Sequence, residues 1–261
     1  MTADSYRGAA VGWAQGATLV YAPIAARLVQ RAPVALTDAR VLDVGAGTGV
    51  CEAPLRAAGA TVIVSADLSY DMLAWHRATR PPAVVSDVMH LPFRSGCVDS
   101  VVASFVLNHL TDPVHGLREV VRTLRRGGAV LATVYANSSH SANRDTVDDV
   151  ARSYGWMPPA WYRRLKANAA PLLGAANPMR TAAAAAALVD IDAHEESVDV
   201  QVTKPEALVD YRFGQAQFAD WLAGLDPAER TAARAAATAA ITATMEPYRP
   251  RVVFLTARTA T

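Results

Sequence analysis

The sequence has little of what disulfide-rich, membrane-spanning or nucleic-acid-binding proteins need. Its 261 residues include two cysteines, Cys51 and Cys97, too few for a disulfide framework or a zinc site. Lys and Arg number 25 against 24 for Asp and Glu, so no basic excess indicates nucleic acid. The longest run of small apolar residues, 182–189, is far short of a membrane span. Since the first residues also lack a signal-peptide layout, we expect a cytoplasmic protein without nucleic-acid, membrane or metal partners.

The most informative segment is 41–49, which reads Val-Leu-Asp-Val-Gly-Ala-Gly-Thr-Gly. An apolar run that ends in alternating glycines predicts a buried strand followed by a tight turn. Glycine tolerates positive φ and lets a ligand approach bare backbone. The next segment, 50–58, can be helical, and the free N–H groups of a helix N-terminus favour anionic groups. The Gly-x-Gly-x-Gly spacing differs from the dinucleotide fingerprint, and the Gly-Lys-Ser/Thr ending of a P-loop is absent.

At this motif the chain resembles the class I S-adenosylmethionine (SAM) dependent methyltransferases. Their first motif has the form hydrophobic-hydrophobic-Asp/Glu-hydrophobic-Gly-x-Gly-x-Gly. The resemblance continues in Leu-Pro-Phe at 91–93, in His109-Leu110 followed by Asp-Pro, and in the Arg-x-Leu-x-x-Gly-Gly of 122–128. Arginine replaces the family's usual proline at 126. The resemblance is specific over 38–135 and rests on the order of elements elsewhere.

Strand and helix signals alternate after residue 38, which predicts an α/β fold with a parallel sheet and right-handed crossovers. The predicted strands are 40–45, 61–66, 83–86, 98–106, 129–135, 188–202 and 251–257, and the predicted helices are 70–79, 112–125, 206–218 and 227–243. Gly127 and Gly128 are expected to end the second of these helices. The resemblance implies a Rossmann-like, doubly wound, mostly parallel seven-stranded sheet that ends in an antiparallel hairpin of 192–202 and 252–258.

The chain is expected to divide into four regions. Residues 1–37 form an N-terminal helical cover, and 38–136 form the SAM-binding core. Residues 137–190, which carry several prolines between amphipathic stretches, form a helical insertion or lid. Residues 191–261 supply the C-terminal strands and helices that complete the sheet and the substrate pocket.

Three aspartates at strand positions are the strongest candidates for cofactor binding. Asp67 closes the second strand, where a carboxylate can accept both hydroxyl protons of a ribose; the alternative is a surface aspartate that caps the next helix. Asp43 lies inside an apolar strand, where burial without partners is costly. By resemblance Asp43 faces the amino end of the methionine part, directly or through water; alternatively it braces the glycine turn. The resemblance also implies that Asp87 accepts from the adenine amino group, unless it is a solvated loop residue.

The full set of residues expected to bind SAM, or its product S-adenosylhomocysteine (SAH), combines the glycine turn with the ends of the next three strands. By resemblance, Leu68 packs on the adenine face and the Val88 N–H donates to a ring nitrogen. The set is Asp43, Gly45, Ala46, Gly47, Thr48, Gly49, Asp67, Leu68, Asp87, Val88, Ser104 and Phe105.

His109 is the histidine that the motif places beside the expected methyl group, and its ordinary pKa suits a base near neutral pH. The alternative is a histidine that only hydrogen-bonds to backbone. Candidates for the acceptor wall are aromatic and polar residues of the insertion and C-terminal part, whose alternative role is packing onto the sheet. They are Trp156, Trp161, Tyr162, Tyr211 and Gln215. The N-terminal Tyr6, Trp13 and Tyr21 leave the same choice open, and one of them can approach the sulfonium through cation–π attraction.

The resemblance therefore implies an enzyme that transfers a methyl group to O, N or C of a small, secondary-metabolite acceptor by in-line displacement, as a monomer or homodimer. Quinone-type C-methylation is also compatible with 38–135. Three alternatives stay open: a cyclase-like enzyme that binds SAM without methyl transfer, a non-catalytic partner subunit, and a nicotinamide-dependent dehydrogenase.

Overall fold

The computed structural model describes residues 3–261, with side chains from Ser5 onward, so Met1 and Thr2 of the expected N-terminal cover lie outside the described residues. The fold is built on a seven-stranded sheet of order β3-β2-β1-β4-β5-β7-β6. Its strands are β1 Arg40–Val44, β2 Val62–Asp67, β3 Ala83–Val85, β4 Val98–Ser104, β5 Leu124–Tyr135, β6 Leu188–Ser197 and β7 Arg251–Thr259. β7 runs antiparallel to both of its neighbours, β5 and β6, and the other neighbouring strands pair in parallel. The predicted Rossmann-like sheet with its terminal antiparallel hairpin is confirmed.

The helices connect and cover these strands. The α-helices are α1 Ala10–Gly12, α2 Thr18–Val29, α3 Glu52–Ala57, α4 Tyr70–Ala74, α5 Pro113–Thr123, α6 Ala142–Ser153, α7 Ala160–Arg164, α8 Ala176–Ala185, α9 Pro205–Phe213, α10 Ala219–Gly224 and α11 Pro227–Thr242. Two segments, Trp13–Ala17 and Leu165–Ala169, are π-helical. Short 3₁₀ turns lie at Ala3–Tyr6, Leu107–His109, Ala170–Leu172 and Ala216–Phe218. No helix among residues 3–261 is long and apolar enough to cross a membrane.

The central strands are apolar at nearly every position because both faces of the sheet are covered. Along β7, Val252 and Phe254 belong to the apolar core on one face, whereas Val253 and Leu255 belong to the core on the other. The first core includes residues of α2, α3, α6, α9 and α11, and the second includes residues of α5 and α8. A doubly wound sheet of this kind presents its carboxyl edge for ligand binding.

Two predicted helices end earlier than their sequence patterns indicate. The helix expected over 70–79 ends at Ala74, because the Arg80 guanidinium donates to the carbonyls of Met72 and Leu73 and so satisfies its last turn. The helix expected to reach 125 ends at Thr123. Gly127 and Gly128 do not end that helix: they lie inside β5, and the Gly128 N–H donates to Thr259 Oγ1 of β7.

The C-terminal part also differs from the prediction in its boundaries. The strand expected over 188–202 ends at Ser197, and the helix expected over 206–218 divides into α9 and a 3₁₀ turn around Gly214. Gly214 permits a close contact with the N-terminal helices, since a Cβ there would lie 2.4 Å from the Gly12 carbonyl oxygen. This contact joins the N-terminal helices to α9.

Candidate functional site

A cavity of about 210 Å³ lies at the carboxyl ends of the parallel strands, the position where open α/β sheets bind ligands. Its walls come from the turn after β1, the loops after β2, β3 and β4, and the N-terminal helices. The structure places most of the predicted cofactor residues together in this lining: Gly45, Ala46, Gly47, Asp67, Leu68, Asp87, Val88, Ser104 and Phe105. Asp43, Thr48 and Gly49 do not line the cavity.

The glycine turn follows β1 and is fixed by the neighbouring strand. Gly45 and Ala46 donate their N–H groups to the Ala66 carbonyl oxygen, at 2.7 and 3.1 Å. Gly45 has a φ of +67°, and a Cβ there would lie 2.6 Å from the Cβ of Val106. A side chain at 45 would therefore strain the backbone and push against the loop that follows β4. The turn keeps bare backbone at the cavity wall.

The Asp67 carboxylate braces this turn from the end of β2. Its Oδ2 accepts the Gly47 N–H and its Oδ1 accepts the Ser69 N–H, both at 2.8 Å. Burial raises the pKa of Asp67, and these backbone N–H groups oppose the rise. A carboxylate oxygen accepts more than one hydrogen bond, so Asp67 can hold the turn and still accept from a ligand. Ser69, and not Asp67, is the N-cap of the next helix, because the Ser69 Oγ accepts from the Met72 N–H.

Asp43 lies beneath the turn, with 2% of its surface exposed. Its Oδ1 has no hydrogen-bond partner among the described residues. Burial, with a smaller contribution from the charge of Asp67, raises the pKa of Asp43 to about 7, and Arg80 opposes this. Asp43 thus lies behind the residues that line the cavity, and its contact with a cofactor stays a prediction.

Arg80 is a residue that sequence reasoning missed. Its Nη1 donates to the carbonyl oxygens of Gly47, Met72 and Leu73, at 3.3, 3.1 and 2.9 Å. It thus connects the glycine turn to α4 and supplies the positive charge nearest the two buried carboxylates. No local pattern indicates this role, because it depends on the chain folding back after α4.

Several polar atoms in the cavity lining have no partner. Ser86 Oγ, Asn108 Oδ1 and His109 Nδ1 are buried and make no hydrogen bond within the described part of the chain. Buried polar groups are normally hydrogen-bonded to protein, water or ligand. Nearby, Asp87 is exposed and its Oδ1 accepts the Met89 N–H at 2.9 Å, which leaves its other oxygen available. The lining therefore offers polar contacts to a ligand at several separate points.

Aromatic rings form the opposite wall of the cavity. Tyr21 of α2 stacks on Trp13 at 4.9 Å between ring centroids and meets Phe105 edge-on at 4.8 Å. Phe105 has a φ of +57° at the end of β4, and its ring also lies 4.6 Å from that of Tyr135. Tyr6 completes this wall, 5.5 Å from Trp13. The wall suits a cationic or planar ligand.

His109 connects the aromatic wall to the loop after β4. Its Nε2 lies 3.3 Å from the Tyr6 hydroxyl, while its Nδ1 has no partner among the described residues. Burial lowers the pKa of His109 to about 4. The imidazole is therefore neutral at pH 7 and can accept a hydrogen bond, but its lowered pKa makes it a weaker base than the ordinary histidine expected from the sequence. The alternative was a histidine that only hydrogen-bonds to backbone. The described contacts differ from it, because the partner of the His109 ring is the Tyr6 hydroxyl.

The lowered pKa of His109 makes a prediction about stability. In the unfolded chain the imidazole titrates near 6.5, so between about pH 6.5 and 4 the unfolded state binds more protons and the folded state loses stability as the pH falls. Between pH 7 and pH 5 we expect the wild type to lose about 2 kcal/mol more unfolding free energy than His109→Gln. Urea unfolding at both pH values measures this. The raised pKa of Asp43 has the opposite effect on stability as the pH falls, but this effect is the same in both proteins. An equal change of unfolding free energy between pH 7 and pH 5 in wild type and variant would contradict the prediction.

The predicted acceptor residues separate into three positions. Trp161 lines a second, adjoining cavity, with Tyr162 beside it at 5.7 Å between ring centroids. Tyr211 and Gln215 lie one layer behind the aromatic wall: the Tyr211 hydroxyl is 2.9 Å from that of Tyr135, and Gln215 Nε2 donates to the Tyr21 hydroxyl. Trp161 is thus the one of the five predicted residues that lines either cavity, and Trp156 lies farthest from the prediction. Its indole is buried, stacks on a phenylalanine and donates to the Gln217 carbonyl.

Behind Gln215 lies a buried ion pair that the sequence did not reveal. Arg212 donates through Nε and Nη2 to the two carboxylate oxygens of Asp148, at 2.6 and 2.7 Å, and through Nη1 to Gln215 Oε1. A continuous set of hydrogen bonds thus runs from Asp148 of α6 to the Tyr21 hydroxyl in the cavity wall. It fixes the orientation of that phenol.

Residues 42–132 match the family model described as "Methyltransferase domain". Among curated proteins, the demethylmenaquinone methyltransferase of Mycolicibacterium gilvum is 39% identical over 101 residues, which are 39% of this chain and 44% of the relative. That of Mycobacterium sp. strain KMS is 39% identical over 103 residues, 40% of this chain and 44% of the relative. The chain thus spans less than half the length of these relatives.

Solved structures match nearly the whole chain at low sequence identity. The 4+2 cyclase SpnF has a TM-score of 0.57 and 21% identity over 92% of this chain and 82% of its own. Haemonchus contortus phosphoethanolamine N-methyltransferase 2, in complex with SAM, has a TM-score of 0.58 and 18% identity, over 91% of this chain and 52% of its own. A SAM-dependent methyltransferase from Mesorhizobium loti has a TM-score of 0.51 and 18% identity, over 89% of this chain and 95% of its own. These likenesses concern the fold.

Proposed function

We propose that this chain binds SAM in the 210 Å³ cavity and transfers its methyl group to a small-molecule acceptor, since residues 42–132 match the model of a methyltransferase domain. One observation carries the proposal. The glycine turn and the unpaired buried atoms Ser86 Oγ, Asn108 Oδ1 and His109 Nδ1 line the same cavity, at the edge of the sheet where such folds bind ligands.

The lining residues fit SAM along its length. Asp67 keeps acceptor capacity for ribose hydroxyls while it braces the turn, and Asp87 and Val88 line the wall where we place the adenine. The turn at Gly45 admits no side chain, so it leaves room for the methionine part. When bound, SAM supplies an electrophilic methyl group on a sulfonium. The aromatic wall stabilises positive charge and excludes water from the site.

We propose a planar acceptor, a quinone-like compound or another aromatic secondary metabolite, methylated on O, N or C. The aromatic wall of Tyr6, Trp13, Tyr21, Phe105 and Tyr135 supports a flat, apolar partner. The relatives named demethylmenaquinone methyltransferases support a ring-containing acceptor. The role of the protein is to hold the acceptor atom in line with the methyl group, with no covalent enzyme intermediate.

His109 is the proposed base. Its imidazole is neutral at pH 7, its Nε2 lies against the Tyr6 hydroxyl, and its Nδ1 is unpaired. Although the lowered pKa of His109 makes it a weak base, it can accept the proton that a phenol, hydroxyl or acidic C–H of the acceptor loses during transfer, because bonding to the methyl group makes that proton strongly acidic. Tyr6 orients the ring and can relay the proton through its own hydroxyl.

Replacing His109 with Gln is expected to separate turnover from cofactor binding. Glutamine keeps a polar group beside Tyr6 but cannot act as a base, so turnover is expected to fall about 100-fold. SAH affinity is expected to change less than about threefold, because the Asp67 contacts remain. Steady-state kinetics and calorimetry with SAH measure the two quantities. Unchanged turnover would dismiss the base role.

The proposed setting is the cytoplasm. Cys51 and Cys97 are free thiols, and Cys51 is buried. A reducing compartment keeps such thiols reduced, whereas secreted small domains use cysteines as disulfides.

The test of the proposed function is calorimetric titration with SAM, SAH and NAD, followed by product analysis. We expect micromolar binding of SAM and SAH and none of NAD. SAH formed in step with a methylated acceptor would support methyl transfer over the cyclase-like alternative. Absence of SAM binding would overturn the proposal.

A further inference from the structure

A second cavity of about 180 Å³ adjoins the first. His109 and Thr111 line both cavities, so the two meet at these side chains. The other walls come from α7 and the π-helix that follows it: Trp161, Arg164, Leu165, Asn168 and Ala169. A π-helix is rare and recurs at functional sites, and here three of its five residues face one cavity.

The segment that carries this wall has an unusual charge. Residues 150–189 contain no carboxylate, although the whole chain has a net charge of only +1. The cations of this segment are Arg152, Arg163, Arg164, Lys166 and Arg180. The positive charge beside the second cavity is therefore not balanced within its own segment.

Arg164 is the cation in the cavity wall, and it is unpaired. Arg152 pairs with Asp149 and Arg163 donates to the Pro158 carbonyl, whereas the Arg164 guanidinium makes no hydrogen bond or ion pair with residues 5–261. A guanidinium with free donors matches a carboxylate in a two-point geometry. Asn168 adds an amide to the same wall.

Trp161 supplies the flat surface of this cavity. Its ring is half-buried and lies 6.0 Å from that of Tyr6, which belongs to the first cavity. Leu165, four residues further along the same helical segment, adds an apolar side chain to this lining. An aromatic and an aliphatic side chain favour a ring packed against them, while the arginine and the amide favour a polar substituent.

We propose that the second cavity is the acceptor subsite and that it binds an aromatic ring carrying an anionic substituent. This inference rests on the proposed function and adds the acceptor's charge to it. Arg164 and Asn168 bind the anionic group, Trp161 packs on the ring, and the end to be methylated passes His109 and Thr111 into the first cavity. A volume of 180 Å³ holds part of an acceptor and not a whole drug-sized molecule, as a two-cavity arrangement requires.

The experiment uses the full chain saturated with SAH and two matched probes, para-hydroxybenzoate and its neutral amide, para-hydroxybenzamide. Binding is followed by NMR on the indole N–H of Trp161, assigned with Trp161→Phe. We expect the carboxylate to bind about three- to fivefold more tightly than the amide, a modest ratio because Arg164 is exposed. Arg164→Ala should equalise the two affinities, and Arg164→Lys should retain part of the preference.

Arg163→Ala is the matched control, because Arg163 is a neighbouring arginine that lines neither cavity. It should keep the full preference. No preference in the wild type, or a preference that survives Arg164→Ala or is lost in Arg163→Ala, overturns the inference even when SAH binds. Failure of SAH to bind overturns the proposed function instead, and the two probes are then compared without it. Thermal unfolding of each variant confirms that it is folded.

Discussion

Asp67→Asn is expected to weaken SAM and SAH binding by at least about 100-fold, because each of the two charge-assisted hydrogen bonds that we propose between Asp67 and the ribose would contribute about 1.5–3 kcal/mol. The structure adds a second reason. Both carboxylate oxygens accept backbone N–H groups, from Gly47 and from Ser69. Asparagine has one acceptor oxygen, and its amide nitrogen faces a donor. The variant therefore loses the ribose contact and loosens the glycine turn together.

Calorimetry with SAH measures this loss, and thermal unfolding shows that the variant is folded. Asp220→Asn is the control: it removes one negative charge from the exposed start of α10, which does not line the cavity, and should leave SAH affinity unchanged. Equal affinity of Asp67→Asn and wild type would remove Asp67 from the binding site and leave it as a brace for the turn.

The largest effect on stability is expected for Arg212→Ala, at about 3–5 kcal/mol of unfolding free energy. The Arg212 side chain is 5% exposed and its partner Asp148 is 12% exposed, so removing the guanidinium leaves a carboxylate buried without its counter-charge. Gln215 loses a donor at the same time. Urea unfolding followed by circular dichroism measures the change.

Two comparisons distinguish this effect from a general loss of contacts. Arg249→Ala removes an exposed ion pair, in which Arg249 and Asp199 are 60% and 57% exposed, and is expected to cost at most about 1 kcal/mol. Replacing both members of the buried pair, Arg212→Met with Asp148→Leu, should recover much of the lost stability, because no charge is then left unpaired. A cost below about 1 kcal/mol for Arg212→Ala would contradict the prediction.

The sheet and the cavity wall at its carboxyl edge could be predicted from sequence because their signals are local. Each central strand is a short apolar run, and the glycine turn follows β1 directly. Asp67 and Asp87 lie at strand ends, where chain order alone brings them to one edge of a parallel sheet. These residues needed no knowledge of distant packing.

The rest could not be predicted because it depends on contacts between distant segments. Tyr6 and His109 are 103 residues apart in sequence, and Arg212 and Asp148 are 64 apart. Arg80 lies after α4, and its guanidinium folds back to donate to carbonyl oxygens in the last turn of that helix. Trp156 shows the converse error: an aromatic cluster in sequence indicated a pocket, but the ring packs on Phe218 because the segment after α6 meets the 3₁₀ turn of 216–218.

The placement of β7 between β5 and β6 has a consequence for the order in which the chain can fold as it leaves the ribosome. The outer edge of β5 is complete once Tyr135 has been made, but the strand that covers it, Arg251–Thr259, emerges more than a hundred residues later, on the order of ten seconds of synthesis. β6 is made within that interval and pairs with β7 in the described sheet, so it has no sheet neighbour until β7 emerges. From the synthesis of β6 to that of β7, two strand edges therefore stay open together and are exposed to pairing with neighbouring nascent chains.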